Sequence, residues 1–185
     1  ADEGVLLRER GITMPIVVLN ADADSFDLMI ANRLEPEIYS FRSLDDFASA
    51  VSHAGEFRYP IHLKLDTGMH RLGFMEEEID RLCEVLPLRP EVKVATVFSH
   101  LNCADMPEED AYTRAQIARY DRMSTRLVEA LPYPVIRHTA NSAAIERFPE
   151  AQYDMCRLGL GLYGFGWQHN PSLRPVSTLR TRALA

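Results

Sequence analysis

The sequence predicts an α/β fold in which helices cover a parallel β-sheet. Apolar, β-branched runs such as PIVVLNA (15–21) and VKVATVFSHL (92–101) are typical of strands that are buried on both faces. Helical patterns separate these runs, and a regular strand–helix alternation indicates parallel strands joined by helical crossovers. Both a (β/α) barrel and a doubly wound sheet account for this pattern.

The composition is that of an ordinary globular domain. The chain has 185 residues, 46% hydrophobic and 25% charged, and is shorter than a complete (β/α)8 barrel of roughly 250 residues. Its net charge of −7 argues against non-specific nucleic-acid binding, which requires a basic surface. Three cysteines without CxxC spacing predict a reducing, cytoplasmic location. No run is long enough to span a membrane, and no cluster has metal-ligand spacing.

Three predicted strands, each followed by a helix, make up the first half of the chain. The strands are 15–21, 36–40 and 60–67, and the helices are 24–34, 43–55 and 75–86. Ser43 is expected to cap the second helix, with Asp46 three residues later in capping-box spacing. The acidic start of the third helix, MEEE, suits the positive end of a helix dipole.

The second half continues the alternation and brings the number of strand candidates to six. The strands are 92–101, 134–139 and 153–164, and the helices are 108–131 and 142–147. No low-complexity linker divides the chain, so the main body is predicted to be one domain.

The segment IHLKLDTGMHRLGF (61–74) has a lysine in the middle of an otherwise buried strand. Because side chains alternate along a strand, His62 and Lys64 share one face. Gly68 and Arg71 follow at the carboxyl end, where parallel α/β proteins place their active sites. The alternative is a strand-end turn with a solvated arginine and a lysine paired to a carboxylate.

Further polar groups follow the next two predicted strands. His100 ends one strand, and the segment RHTANSAA carries His138, Asn141 and Ser142 before a short helix. Asn or Ser before a helix is first of all an N-cap. The same arrangement exposes backbone N–H groups that can bind an anion such as phosphate.

The segment MCRLGLGLYG (155–164) combines Arg157 with closely spaced glycines. A G-x-G pattern alone is not a dinucleotide fingerprint, and its simplest use is close backbone packing. The segment nevertheless follows the Asn141–Ser142 turn directly, so the two strand ends could hold one phosphate between them.

Four motifs together carry a resemblance to a known family. DTGMHRLGF, the SH of VFSHL, HTANSAA and RLGLGLYG occur in the order and spacing of the alanine racemases, which depend on pyridoxal 5′-phosphate (PLP). The resemblance implies a TIM-type (β/α)8 barrel, here a partial barrel of about six βα units, strands three to eight. Residues 1–174 would form this PLP-binding domain, and residues 175–185 would begin a linker or strand into a C-terminal β-domain.

The resemblance also implies three catalytic residues. Lys64 would match a barrel lysine that is carbamylated in many members, which would turn its amine into an anion able to face Arg71. Arg71 would match the arginine near the cofactor's phenolic oxygen and the substrate carboxylate. His100 would match the histidine against the pyridine ring.

Three residues would hold the cofactor phosphate, and a fourth would lie beside them. Ser142, with the backbone of Gly159 and Leu160, would match the family's phosphate-binding residues, and Asn141 would match the residue beside them.

Two more residues would lie at the cofactor ring. Arg157 would match the arginine bonded to the pyridine nitrogen, with His138 hydrogen-bonded behind it. Arginine keeps its proton, so the ring nitrogen would tend to stay unprotonated and the cofactor would be a weaker electron sink.

Departures from the family pattern limit what this chain is expected to do alone. His70 and Leu158 stand where a small or polar residue and a proline are expected, and no KADAYGHG-like segment supplies the Schiff-base lysine. Lys64 and Lys93 are the only lysines, and both fall elsewhere. The 185-residue chain alone is therefore expected to be inactive. The resemblance implies that it is part of a longer parent racemase, which acts on alanine for peptidoglycan synthesis and forms a homodimer.

Two other functions remain open from the sequence. In the first, the parent is another PLP-barrel enzyme, such as a broad-specificity amino-acid racemase or a decarboxylase. The chain is alternatively a non-catalytic module that binds PLP or phosphate.

Overall fold

Five parallel strands form one sheet in the structure, a computed structural model that describes residues 1–178 and 180. The strands are β1 (Val17–Val18), β2 (Glu35–Ile38), β3 (Tyr59–Lys64), β4 (Val92–Phe98) and β5 (Ile136–His138). They lie side by side in chain order, and every neighbouring pair is parallel. A doubly wound sheet reverses its strand order at a switch point, whereas this order proceeds in one direction, as it does in a barrel.

Helices alternate with the strands along the chain, as the sequence predicts. They are α1 (Asp2–Glu9), α2 (Phe26–Ala31), α3 (Phe41–His53), α4 (Ile79–Val85), α5 (Asp110–Ala130) and α6 (Ser142–Arg147). Single 3₁₀ turns precede α2, α4 and α5. Within the described ranges, no helix combines the length and apolar character needed to cross a membrane.

The predicted cap of α3 is wrong by three residues. Ser40 is the N-cap, and its hydroxyl accepts a hydrogen bond from the N–H of Ser43. Ser43 is the third helical residue, and its hydroxyl accepts from the N–H of Ser40 at 3.1 Å. Starting the helix at Phe41 satisfies both backbone donors, whereas a start at Ser43 would leave that reciprocal pair unused.

The predicted sixth strand, 153–164, is also wrong. Only two backbone bonds join this segment to the end of β5, from Asp154 to Arg137 and from Arg157 to Ala140. Beyond them the chain turns into a 3₁₀ helix, Leu160–Tyr163. The glycine N–H groups that a sheet ladder would use are instead bonded to a side chain described below, so no ladder forms.

The sheet has an apolar face and a polar face, as strand alternation predicts. On β3, Ile61 and Leu63 are fully buried and belong to the main hydrophobic core with residues of α2, α3, α4 and α5. The opposite face of the same strand carries His62 and Lys64, which are also buried. The polar face is therefore enclosed and desolvated, and its groups must satisfy one another.

The predicted boundary near residue 174 stays a prediction. Residues 175–178 and 180 have no regular secondary structure. The rest of the expected linker or strand, residues 179 and 181–185, lies outside the described residues.

Candidate functional site

Lys64 forms a buried ion pair with a partner that the sequence did not identify. Its Nζ lies 3.2 Å from Oε1 of Glu37 on β2, and the two side chains are 7% and 3% exposed. The other carboxylate oxygen of Glu37 accepts a hydrogen bond from the N–H of Asn20 at 2.8 Å. Burial lowers the pKa of Lys64, and the neighbouring Glu37 carboxylate partly opposes that effect. The structure thus contains the lysine–carboxylate pair that was the alternative interpretation of this strand.

Phe98 joins the lysine to the next part of the site. The Lys64 Nζ lies 4.7 Å from the centroid of its ring, and the His138 ring stacks on it with a centroid separation of 5.0 Å and an interplanar angle of 3°. The three residues are register partners across β3, β4 and β5. Strand pairing therefore sets the order of these groups at the carboxyl ends of the strands.

Arg157 lies beside this row and contacts two histidines. Its Nη1 is 3.1 Å from Nδ1 of His138, and its Nη2 is 3.1 Å from Nδ1 of His100. The same two nitrogens also donate to the backbone carbonyls of His138 and Thr139. The predicted contact between Arg157 and His138 is present, and His100 shares it.

Burial and the neighbouring arginine keep both histidines neutral. A guanidinium has only donors, so each contacting Nδ1 must offer a lone pair. Burial and then the charge of Arg157 lower the pKa of His100 to about 4 and that of His138 to about 3. Burial also lowers the pKa of Arg157 itself, to about 10, so it remains a cation at neutral pH.

Ser142, the first residue of α6, is hydrogen-bonded to the glycine segment. The Ser142 hydroxyl oxygen accepts from the N–H of Gly159 at 3.0 Å and from the N–H of Gly161 at 3.1 Å. Between these glycines, the N–H of Leu160 has no acceptor among the described residues. The hydroxyl hydrogen of Ser142 is likewise free of any protein acceptor in the part of the chain described here. Two donors are thus available to an anion at this place.

Asn141 serves as the N-cap that the simpler interpretation required. Its side-chain oxygen accepts from the N–H of Ala144 at 3.0 Å, and its amide donates to the carbonyl of Leu101 at 2.8 Å. The second bond fixes the start of α6 against the loop that follows β4. Asn141 therefore positions Ser142, its neighbour in the chain.

The loop after β3 is shaped by Asp66, and Arg71 lies at its exposed part. One Asp66 oxygen accepts from the N–H of Gly68 at 2.8 Å and of His70 at 3.1 Å. Gly68 has φ +136°, and a Cβ there would lie 2.6 Å from the hydroxyl of Tyr112, so only glycine fits. Arg71 is exposed and forms no ion pair or side-chain hydrogen bond among the residues described.

The structure brings together most of the predicted site residues. Lys64, His100, His138 and Arg157 form one connected cluster, and Ser142 joins Gly159, two residues beyond Arg157. Their chemical roles stay predictions.

Three polar residues of the enclosed face were missed by the sequence analysis: Glu35, Glu37 and Thr96. The alternation along EPEI and VKVATVF was the only available signal, since a polar residue on a strand face has no partner visible in the sequence.

The comparisons with known proteins agree on one family. A family model described as "Alanine racemase, N-terminal domain" matches residues 1–166. The alanine racemase of Sorangium cellulosum is 34% identical over 190 aligned positions, which cover 100% of this chain and 50% of that protein. The alanine racemase of Symbiobacterium thermophilum is 36% identical, with coverages of 98% and 49%. The chain thus spans about half the length of the curated relatives it matches.

Solved structures share the fold. Alanine racemase from Clostridium difficile 630, in complex with cycloserine, matches with a TM-score of 0.85 and 30% identity over 94% of this chain and 49% of that one. The enzyme from Streptomyces lavendulae matches with a TM-score of 0.85 and 28% identity over 94% and 48%. The enzyme from Bartonella henselae, with covalently bound pyridoxal phosphate, is 20% identical over 91% and 46%, with a TM-score of 0.77. The five parallel strands are therefore a partial barrel.

Replacing Glu37 should lower the pKa of Lys64 further. Glu37→Gln removes the carboxylate that raises this pKa but leaves the burial that lowers it. The measurement is an NMR titration of protein labelled with ¹⁵N at the lysine side-chain nitrogen. Lys93 is the chain's only other lysine, and its signal provides an internal control. An unchanged or higher midpoint for Lys64 would contradict the ion pair.

The two neutral histidines should make the fold sensitive to acid. Unfolded histidine takes up a proton near pH 6.5, whereas folded His100 and His138 resist protonation until about pH 4 and about pH 3. The unfolded state therefore binds more protons between these values, so stability is complete above pH 6.5 and falls as the pH decreases. The expected loss at pH 5 is about 2 kcal/mol per histidine.

Denaturant unfolding at pH 7.5 and pH 5 measures this loss. His138→Gln should reduce the difference between the two pH values, and His53→Gln, at an exposed position of α3, is the matched control. The same pH difference in both variants would show that His138 is not buried in its neutral form.

Proposed function

Because the chain belongs to the alanine racemase family, we propose that it is the PLP-binding barrel part of an enzyme that interconverts L- and D-alanine. The observation that supports this proposal most strongly is the connected cluster of Arg157, His138 and His100, close to the place where Ser142 bonds to Gly159. The product D-alanine would serve peptidoglycan synthesis, and the whole enzyme would be a cytoplasmic homodimer.

The donors at this site fit PLP. Four N–H bonds of Arg157 point to His138, His100 and two carbonyls, while its Nε–H has no partner among the described residues. An unprotonated pyridine nitrogen is an acceptor that suits this remaining donor. At the other end, the Ser142 hydroxyl and the N–H of Leu160 suit phosphate oxygens.

The chain's own residues would divide the work of binding. Ser142, Gly159 and Leu160 would hold the phosphate, with Asn141 fixing the turn. Arg157, supported by His138, would hold the ring nitrogen without giving it a proton. When bound, PLP supplies an electron sink that stabilises negative charge at the substrate α-carbon. A protonated arginine next to the ring nitrogen limits that sink and favours return of the proton.

The remaining proposed residues would lie near the substrate and the cofactor ring. Arg71 would bind the substrate carboxylate, and His100 would lie against the cofactor ring. If Lys64 were carbamylated, its side chain would become an anion and could pair with Arg71. That role requires Glu37 to be protonated or displaced, because two adjacent buried anions repel each other.

Racemisation requires a proton acceptor on each face of the α-carbon. Lys64 is engaged with Glu37, and Lys93 lies near the start of β4, with its Nζ 5.4 Å from the centroid of the Tyr133 ring. We therefore expect the 185-residue chain by itself to lack the activity that we propose for the whole enzyme. This placement of both lysines also favours the second candidate for the isolated chain, a non-catalytic module that binds PLP or phosphate.

A racemase assay tests the proposal directly. The complete protein that carries this chain should form D-alanine from L-alanine with PLP, while the 185-residue chain should form none. A panel of other amino acids separates an alanine racemase from a broad-specificity racemase, and carbon dioxide release would identify a decarboxylase. Absence of D-alanine formation by the complete protein would refute the proposal.

Ser142→Ala should weaken PLP binding because it removes a hydroxyl donor and the acceptor that holds Gly159 and Gly161 in place. The expected loss is about 1–2 kcal/mol, the value of one hydrogen bond to a charged group. PLP titration of the complete protein measures it, and Ser52→Ala, at an exposed position of α3, is the control. Equal affinity in the Ser142 and Ser52 variants would remove Ser142 from the phosphate site.

A further inference from the structure

A continuous line of hydrogen bonds crosses the enclosed face of the sheet, behind the site just described. It begins at Arg157, whose Nη1 is 3.1 Å from Nδ1 of His138. The other ring nitrogen of His138 is 3.1 Å from the hydroxyl oxygen of Thr96. That oxygen is 2.9 Å from Nδ1 of His62, and Nε2 of His62 is 2.7 Å from a carboxylate oxygen of Glu35.

The line uses one residue from each of four neighbouring strands, β2 to β5. Thr96 and His62 are paired in the sheet register, so their approach is built into the strand pairing. His62, Thr96 and His138 are each 5% exposed, and Glu35 has a side-chain exposure of 15%. Such buried groups must satisfy their hydrogen-bonding capacity from one another.

The two charged ends fix the direction of the hydrogen bonds next to them. Arg157 can only donate, so His138 accepts at Nδ1 and carries its proton at Nε2. That proton is donated to Thr96. At the other end, an ionised Glu35 can only accept, so Nε2 of His62 carries a proton and donates it. If the Thr96 hydroxyl donates to Nδ1 of His62, every group is used without conflict.

We propose that Glu35, His62 and Thr96 are positioning residues that hold His138 in its Nε2–H form and so keep Arg157 oriented towards the cofactor ring. The second half of this statement rests on the proposed function, whereas the protonation pattern does not. The line runs from a cation to an anion through neutral groups. Hydrogen bonds that all point the same way between opposite charges polarise and strengthen one another.

A rival arrangement of these hydrogen bonds differs at Thr96. In it, Thr96 accepts from both histidines and donates elsewhere, which requires a proton on Nδ1 of His62. The hydrogen bonds between His138 and Glu35 would then no longer all point towards Glu35. The location of the proton on His62 therefore decides between the two arrangements.

The test is ¹⁵N NMR of the imidazole nitrogens in the complete protein that carries this chain, without PLP, at pH 7.5. Signals are assigned with His62→Gln and His138→Gln. Both rings should be neutral with the proton on Nε2. A proton on Nδ1 of His62, or a doubly protonated His62, would overturn the proposal. Because this measurement needs neither cofactor nor substrate, its result is independent of whether the protein is a racemase.

Substitutions of Thr96 test the positioning role. Thr96→Val removes the hydroxyl at nearly constant shape and should shift the ¹⁵N signals of both His138 and His62, whereas Thr96→Ser should restore them. The matched control is Thr113→Val, because the buried hydroxyl of Thr113 has no hydrogen-bond partner among the described residues. Unchanged histidine signals in Thr96→Val would contradict the connection.

PLP affinity adds a functional readout. Thr96→Val should weaken PLP binding by up to about tenfold, the effect of one hydrogen bond, while Thr96→Ser and Thr113→Val should retain normal affinity. If the histidine signals shift but PLP affinity is unchanged, the line exists and the positioning role is refuted.

Discussion

The buried guanidinium of Arg157 is the constraint on which the arrangement of the polar face depends. A cation taken out of water is costly unless its donors are satisfied. Here two histidine ring nitrogens and two backbone carbonyls accept from it, and no carboxylate of the described residues contacts it directly. Neutral acceptors leave the positive charge uncancelled, so the site keeps an electrostatic field that suits an anionic ligand.

Because the partners of Arg157 are neutral, the carboxylates of the enclosed face lie elsewhere. The two carboxylates, Glu35 and Glu37, lie on β2, across the face from Arg157, where each pairs with a basic side chain of β3. The positive charge of Arg157 is therefore held apart from the Glu35 carboxylate and linked to it through His138, Thr96 and His62. A direct arginine–carboxylate pair would satisfy the charges locally but would remove the donor geometry that a ligand needs.

The helices act on the site through the backbone. Tyr120 of α5 donates its hydroxyl to the carbonyl of Val97 at 2.7 Å and accepts from the N–H of His138 at 2.9 Å. It therefore fixes the short strand β5 against β4 at the level where His138 contacts Arg157. Burial raises the pKa of this phenol, so it remains a hydrogen-bond donor at all ordinary pH values.

The sequence alone determined the alternation of strands and helices, the two faces of each strand and the motifs that identify the family, because these depend on local periodicity and spacing. The cap at Ser40 and the loss of the strand at 153–164 depended on competing partners. In the second case, Ser142 accepts hydrogen bonds from the N–H groups of Gly159 and Gly161, which a β-ladder would have used. The carboxylate partners of Lys64 and His62 were decided by tertiary structure only, since the register between strands brings together residues 27 positions apart. A chain read in one dimension shows which side chains share a face, and only the folded sheet shows which of them meet.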